Sequence, residues 1–250
     1  DSFISGQINI EKFKYYLNQI DITLDLNQFI NEVINSISLG LNNEAMPQEK
    51  NFVEKSVENA ELAIYWHKIF PDVRFIHIIR NPYSNLLSVK NYSYKKGNAK
   101  IRKAVEMIYH SYYYLYRNKQ LFENYKIVRY EDLIQNPQET IKNICDYLNV
   151  EFQENLLIPT LNNKLWSGNS TTDQKFKGIS NKAINDWKQN ISSFEIKLVN
   201  SLFDFVLDDF GYEKLTCNNS IYHPAKHENI KSYIYNRLYY KFFMPNFKNK

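Results

Sequence analysis

Residues 75–88, FIHIIRNPYSNLLS, decide the fold. They close a nearly unbroken apolar run, VRFIHII at 73–79, with the β-branched composition of a strand covered on both faces in a parallel sheet. The run stops at Arg80, and Asn81-Pro82 follows. Asparagine is a good N-cap, and proline suits the first helical position, where its missing N–H has no intrahelical partner to lose. The stretch reads as a strand, a fixed cation and a helix running back along the sheet. Ser88 then lies about two turns into that helix, ~10 Å along its axis.

The same alternation extends outward. Residues 51–55 (NFVEK) read as a short strand, and Ser56 as the cap of a helix to about Phe70. Pro71-Asp72 makes a turn. A long helix, about 99–123, follows Lys95-Lys96-Gly97, and 126–130 (KIVRY) form another strand. Asn136-Pro137, with Glu139 at the third helical position, opens the helix carrying Ile141, Ile144, Cys145 and Leu148. Ser192 with Glu195 makes a capping box for a helix ending before Gly211. Residues 1–50 are helical with a polar loop at 42–50, 151–191 are mostly loop, and 218–250 are a basic, aromatic tail. Strands alternating with helices imply an α/β protein with a parallel sheet, because parallel strands need crossover connections. Ligands on such sheets bind beyond the carboxyl ends of the strands. The candidates are therefore Lys55-Ser56, Arg80-Asn81 and Tyr130-Glu131.

Composition narrows the function. The 250 residues suffice for one large domain, or a domain plus a tail. Six glycines are few for an all-β protein, 16% aromatics exclude disorder, and no apolar run is long enough to span a membrane. A net charge of +4 fits an anionic ligand but is too small to argue for nucleic acid. Cys145 and Cys217 stand alone, without CxxC spacing, so a zinc site is not expected, and Cys145 reads as core packing. No signal peptide is visible. The chain begins at Asp1 rather than at methionine, so an upstream part can have been removed.

Four stretches carry chemistry. Arg80 offers a planar fork of donors suited to phosphate, and Ser88 a hydroxyl that can converge on the same anion. On spacing alone, an arginine paired with a carboxylate and a solvent-facing serine fits equally well. Lys55, beside a helix N-terminus, can stabilise charge on a leaving group; the plain alternative is a surface lysine with a snorkelling stem. STTDQKFKG, 170–178, puts three hydroxyls ahead of Lys175, Lys177 and Gly178 in a loop able to fold over a phosphate. Asn169-Ser170-Thr171 also matches a glycosylation sequon. In VRYEDLIQNP, 128–137, Tyr130 can meet a purine ring, while Glu131 or Asp132 can fix the backbone of the turn. Taken singly, such a tyrosine is more often core.

Together, FPDVRFIHIIRNPYSNLLS, VEKS, VRYEDLIQNP and TTDQKFKG…DWKQNIS resemble the PAPS-dependent sulfotransferases over roughly residues 51–212, nearest to the carbohydrate and tyrosylprotein branches. The resemblance implies a P-loop-NTPase-like parallel sheet flanked by helices. It implies that Arg80 and Ser88 hold the 3′-phosphate of PAPS, that Lys55 acts on the sulfuryl group and its phosphate bridge, and that Tyr130 lies near adenine. Thr171 or Thr172 and Lys177 match loop groups that close over the phosphosulfate, and Trp187 a structural tryptophan. Departures are Asn81 where aspartate is common, Val57 where proline or alanine is common, and no Gly-x-x-Arg-Ser-Gly-Thr loop. The first strand, that phosphate loop and its helix would lie before Asp1, and the acceptor-activating base with them.

The implied reaction is in-line sulfuryl transfer from PAPS to a hydroxyl or amine of a carbohydrate, a peptide tyrosine or a small molecule, leaving PAP. Like phosphoryl transfer, it depends on positioning and charge neutralisation, and no metal is implied. The expected organisation is one domain at 1–217, with 1–50 on the acceptor side, and a tail at 218–250. No nucleic-acid partner is expected. Residues 222–250 allow homo-oligomer formation or docking on a membrane surface, glycan or partner subunit, against the plain reading of a helix packed on its own domain. The compartment expected is the cytoplasm, or the Golgi lumen in a eukaryote. His67, His77 and His110 read as structural. Two other readings stand beside the enzyme: a degenerate nucleotide-binding or scaffold domain, and, more distantly, a nucleotide kinase.

Overall fold

A computed structural model of the chain describes residues 9–47, 51–95, 100–161, 164–166, 178–179, 184, 186–216 and 229–243. Residues up to Val73 and those from Arg74 onward form two compact units.

The first unit is helical. Helices α1 (Ile10–Leu17) and α2 (Leu26–Asn42) pack on each other. They run antiparallel, since Asn9 N–H at the start of α1 donates to Gly40 C=O near the end of α2 at 2.9 Å. Both have side-chain caps: Asn9 accepts from Lys12 N–H (3.0 Å) and Asp25 from Gln28 N–H (2.9 Å), satisfying donors that a helix start leaves without partners. Helix α3 (Asn59–Ile69) is tied to α2 by Asn27 Nδ2, which donates to Ile69 C=O at 2.8 Å.

The expected strand at 51–55 is not formed. Phe52 and Val53 are exposed, and the segment pairs with no strand among the described residues. A short apolar stretch does not become a strand without a partner for its backbone groups. Ser56 is not the helix cap either. Its hydroxyl hydrogen-bonds the Glu58 carboxylate and accepts Glu58 N–H (3.3 Å), and α3 starts only after Glu58.

The second unit holds the sheet. Strand β1 (Phe75–Ile79) leads into α4 (Pro82–Lys95) and α5 (Ile101–Leu121), then β2 (Tyr125–Arg129), α6 (Tyr130–Gln135) and α7 (Pro137–Leu148). β1 and β2 are parallel, in register from Phe75↔Tyr125 to Ile79↔Arg129, and α4 and α5 supply the crossover that a parallel pair requires. The antiparallel pair β3 (Thr160–Leu161) and β4 (Lys164–Leu165) follows, then α8 (Ser193–Leu202), α9 (Asp204–Asp209) and α10 (Ile230–Phe243). The chain is thus an α/β protein, mostly helical, with a small parallel sheet.

Apolar residues three or four apart build its core. Tyr83 and Leu86 on α4, Ile101, Ala104, Ile108, Tyr112 and Leu115 on α5, and Leu198, Val199, Val206 and Leu207 on α8 and α9 form one buried cluster. Each large side chain so buried contributes about 1.5–3 kcal/mol. β1 differs from expectation. Phe75, His77 and Ile79 face inward, Phe75 against Phe122, His77 toward Ser111 and Ile79 within the core cluster, but Ile76 and Ile78 are 38% and 55% exposed. One face of the strand is covered, not both.

The Ser192–Glu195 capping box forms as the sequence indicates. Its helix is interrupted, however, at fully buried Phe203, and Gly211, at φ 63°, takes the left-handed turn after α9. In the tail, α10 packs on the start of α5. Buried Asn236 accepts Ile101 N–H at 3.1 Å, and the Lys100 ammonium lies 5.0 Å from the Tyr235 ring.

Candidate functional site

The strand-end arginine stands on a turn held from several sides. Asn81 caps α4 by accepting Tyr83 N–H at 3.0 Å, while Tyr112, fully packed on α5, donates its hydroxyl to Arg80 C=O at 2.6 Å. Glu131, which follows Tyr130 in the first turn of α6, accepts Asn81 N–H at 2.9 Å and the Tyr212 hydroxyl at 3.0 Å. The Arg80 guanidinium lies over the Tyr130 ring, 4.9 Å from its centroid. Its Nε is buried and has no hydrogen-bond partner among the described residues. Leaving such a donor unpaired costs 1–3 kcal/mol or more, a cost that an anion bound there would remove.

Of the residues singled out from sequence, the structure brings Arg80 and Tyr130 together. Ser88 is half-buried six residues after Pro82, about 9 Å along the axis of α4. It shares a strip of the helix with Ser84, whose hydroxyl donates to Asn81 C=O at 3.3 Å. Lys55 belongs to the first unit and is exposed, in the irregular segment ahead of α3. Thr171, Thr172 and Lys177 lie outside the described residues, as does the sequon at 169–171. Trp187 stacks on Tyr83, with ring centroids 5.6 Å apart and planes 10° apart. Cys145 is buried and free.

Sequence reasoning left open whether Glu131 or Asp132 serves the turn. The structure selects Glu131; Asp132 instead faces Arg129, at 3.8 Å. Missed altogether was Lys90, buried on α4 and paired with buried Glu195 of α8. The contribution of Tyr112 was missed as well. Local pattern marks both as core-facing positions of their helices and says nothing of their polar partners.

His77 is not placed as a base. Its Nδ1 lies 2.5 Å from the Tyr125 hydroxyl and its Nε2 3.2 Å from Ser111 Oγ, so a neutral ring accepts at one nitrogen and donates at the other. Burial lowers its pKa from 6.5 to about 4. A depressed histidine is neutral in the folded state, so its contribution is whole above pH 6.5 and is lost as pH falls toward 4. The shift corresponds to about 3 kcal/mol. Urea unfolding at a series of pH values should show that loss, and His77→Gln should flatten it; an unchanged slope in the variant would assign the acid sensitivity elsewhere.

The profile of the sulfotransferase family matches residues 12–154, more than half the chain. The chain belongs to the sulfotransferase family. The matched span contains Lys55, Arg80, Ser88 and Tyr130 and stops short of Thr171, Thr172 and Lys177. Two solved sulfotransferase structures share the fold. One is the sulfotransferase domain from the curacin biosynthetic pathway, at TM-score 0.55 and 18% identity over 82% of this chain and 79% of that one. The other is the sulfotransferase domain from the Synechococcus PCC 7002 olefin synthase, at TM-score 0.52 and 23% identity over 81% and 74%. At these identities the likeness speaks for the fold, the P-loop-like α/β class. No described helix of this sulfotransferase family member is long and apolar enough to cross a membrane.

Proposed function

We propose that the chain transfers a sulfuryl group from PAPS to an acceptor hydroxyl or amine on a carbohydrate, a peptide tyrosine or a small molecule. Arg80 and Ser88 hold the 3′-phosphate end, Tyr130 lies by the adenine, and Thr171, Thr172 and Lys177 serve the phosphosulfate end. Lys55 follows charge onto the leaving oxygen. PAPS supplies the activated sulfuryl group: a new S–O or S–N bond forms to the acceptor, the S–O bond to the phosphate breaks, PAP leaves with the electron pair, and the acceptor's proton is released to water.

The observation that carries this reading is Arg80. It sits beyond the carboxyl end of a parallel strand, where such sheets bind ligands, and its buried Nε lacks a partner among the described residues. The Tyr130 face supports the guanidinium. Calorimetric titration with PAP, and separately with ATP and magnesium, tests it. The chain should prefer PAP, and Arg80→Ala should weaken PAP binding about 10- to 100-fold, the range for hydrogen bonds to charged groups. Preference for ATP with magnesium, or an indifferent Arg80→Ala, would overturn the assignment. A radiolabelled PAPS transfer screen over glycans, peptides and phenols, with the full chain, identifies the acceptor; PAP binding without transfer to any class would favour a non-catalytic domain.

A further inference from the structure

We infer that Glu131 is a positioning residue of the anion site, acting on affinity through Arg80 without touching the nucleotide. The inference rests on the PAP-binding reading. Arg80 C=O and Asn81 N–H belong to one peptide unit, and peptide units are rigid planes. Tyr112 donates to its oxygen at 2.6 Å, and Glu131 accepts from its N–H at 2.9 Å. Held at both poles, the plane cannot rotate, and the direction in which Arg80 leaves the backbone is fixed with it.

Glu131 also has to keep its charge from quenching the cation it places. One carboxylate oxygen takes Asn81 N–H and the other takes the Tyr212 hydroxyl at 3.0 Å. Tyr212 is buried, with the Arg129 guanidinium 4.8 Å from its ring, and the next stretch is fastened too. Leu215 N–H donates to the Tyr83 hydroxyl at 3.1 Å, and Asn200 donates to Leu215 C=O at 2.9 Å. Glu131 is thereby anchored to the segment after α9 and committed to backbone duty, while Arg80 Nε has no hydrogen-bond partner among the described residues. Preorganising a side chain in its bound position lowers the ordering cost of binding.

The test is a double-mutant cycle read by PAP titration calorimetry. Glu131→Ala should weaken PAP about tenfold or more, and Glu131→Gln, which keeps an acceptor for Asn81 N–H, should stay within about threefold of the parent. In an Arg80→Ala background, Glu131→Ala should change PAP affinity no further, because a residue acting through Arg80 has nothing left to act on. Should Glu131→Ala not fold, Tyr112→Phe frees the other pole of the same peptide and serves the same cycle. Equal losses with and without Arg80, or tighter binding in both Glu131 variants from removal of a negative charge, would overturn the inference while leaving PAP binding intact. A parent chain that ignores PAP, or an Arg80→Ala variant that binds it normally, would overturn both readings.

Discussion

Lys90→Met is expected to destabilise the chain by about 3–5 kcal/mol, the cost of stranding one member of a buried ion pair. Lys90 and Glu195 are 4% and 0% exposed. The Glu195 carboxylate also accepts Ser192 N–H at 2.9 Å and the Ser192 hydroxyl at 2.8 Å, so it cannot swing out to water when the ammonium is removed. For a chain of this size the loss corresponds to a fall of roughly 6–20 °C in Tm. Converting the stranded carboxylate to an amide, Lys90→Met with Glu195→Gln, should recover part of it, since the uncompensated charge is then gone. The contrast is Arg102–Glu106, a pair more than half exposed at both ends, whose removal should cost under about 1 kcal/mol. Thermal and urea unfolding at neutral pH measure both. If Lys90→Met moved stability no more than Glu106→Ala, the buried pair would be dispensable and α4 would be held on α8 by apolar packing alone.

What could be read from the sequence was chemistry that completes itself within a few residues. Asn81-Pro82 starts α4, and Ser192 and Glu195 close a capping box, because each signal and its partner lie on the same short piece of chain. The strand assigned to 51–55 failed for the complementary reason: a strand is a relation between two segments, and local composition does not contain the second. The same holds for the covered faces of β1 and for the break at Phe203, which depend on what packs against them. At the candidate site, the strand-end position of Arg80 was legible from the Arg-Asn-Pro order. Its support was not. The partners holding its peptide unit come from 32 and 50 residues away, and Lys90 and Glu195 are 105 residues apart. Only the fold sets such distances to contact.

Lys55→Ala is expected to lower kcat about 10²–10³-fold, ~2.7–4 kcal/mol of transition-state stabilisation, with PAP affinity unchanged. Its setting gives it little part in the fold. The lysine is exposed in a segment without regular structure, where the Ser56 hydroxyl bonds the Glu58 carboxylate and Asn59 bonds Glu54. Exposed, the Lys55 ammonium meets the charge of Glu58 through solvent, so Lys55→Ala should move stability by less than about 1 kcal/mol. In sulfuryl transfer the negative charge on the bridging oxygen appears as the sulfur departs, and a cation meeting it there stabilises the transition state more than the bound substrate. Binding of PAP then reports little of Lys55, and single-turnover transfer to the acceptor found by the screen reports nearly all of it. Lys55→Arg should restore only part of the rate, because a planar guanidinium does not replace a compact point charge. Equal losses in kcat and PAP affinity would make Lys55 a ground-state binding residue, and an unchanged kcat would make it an ordinary surface lysine.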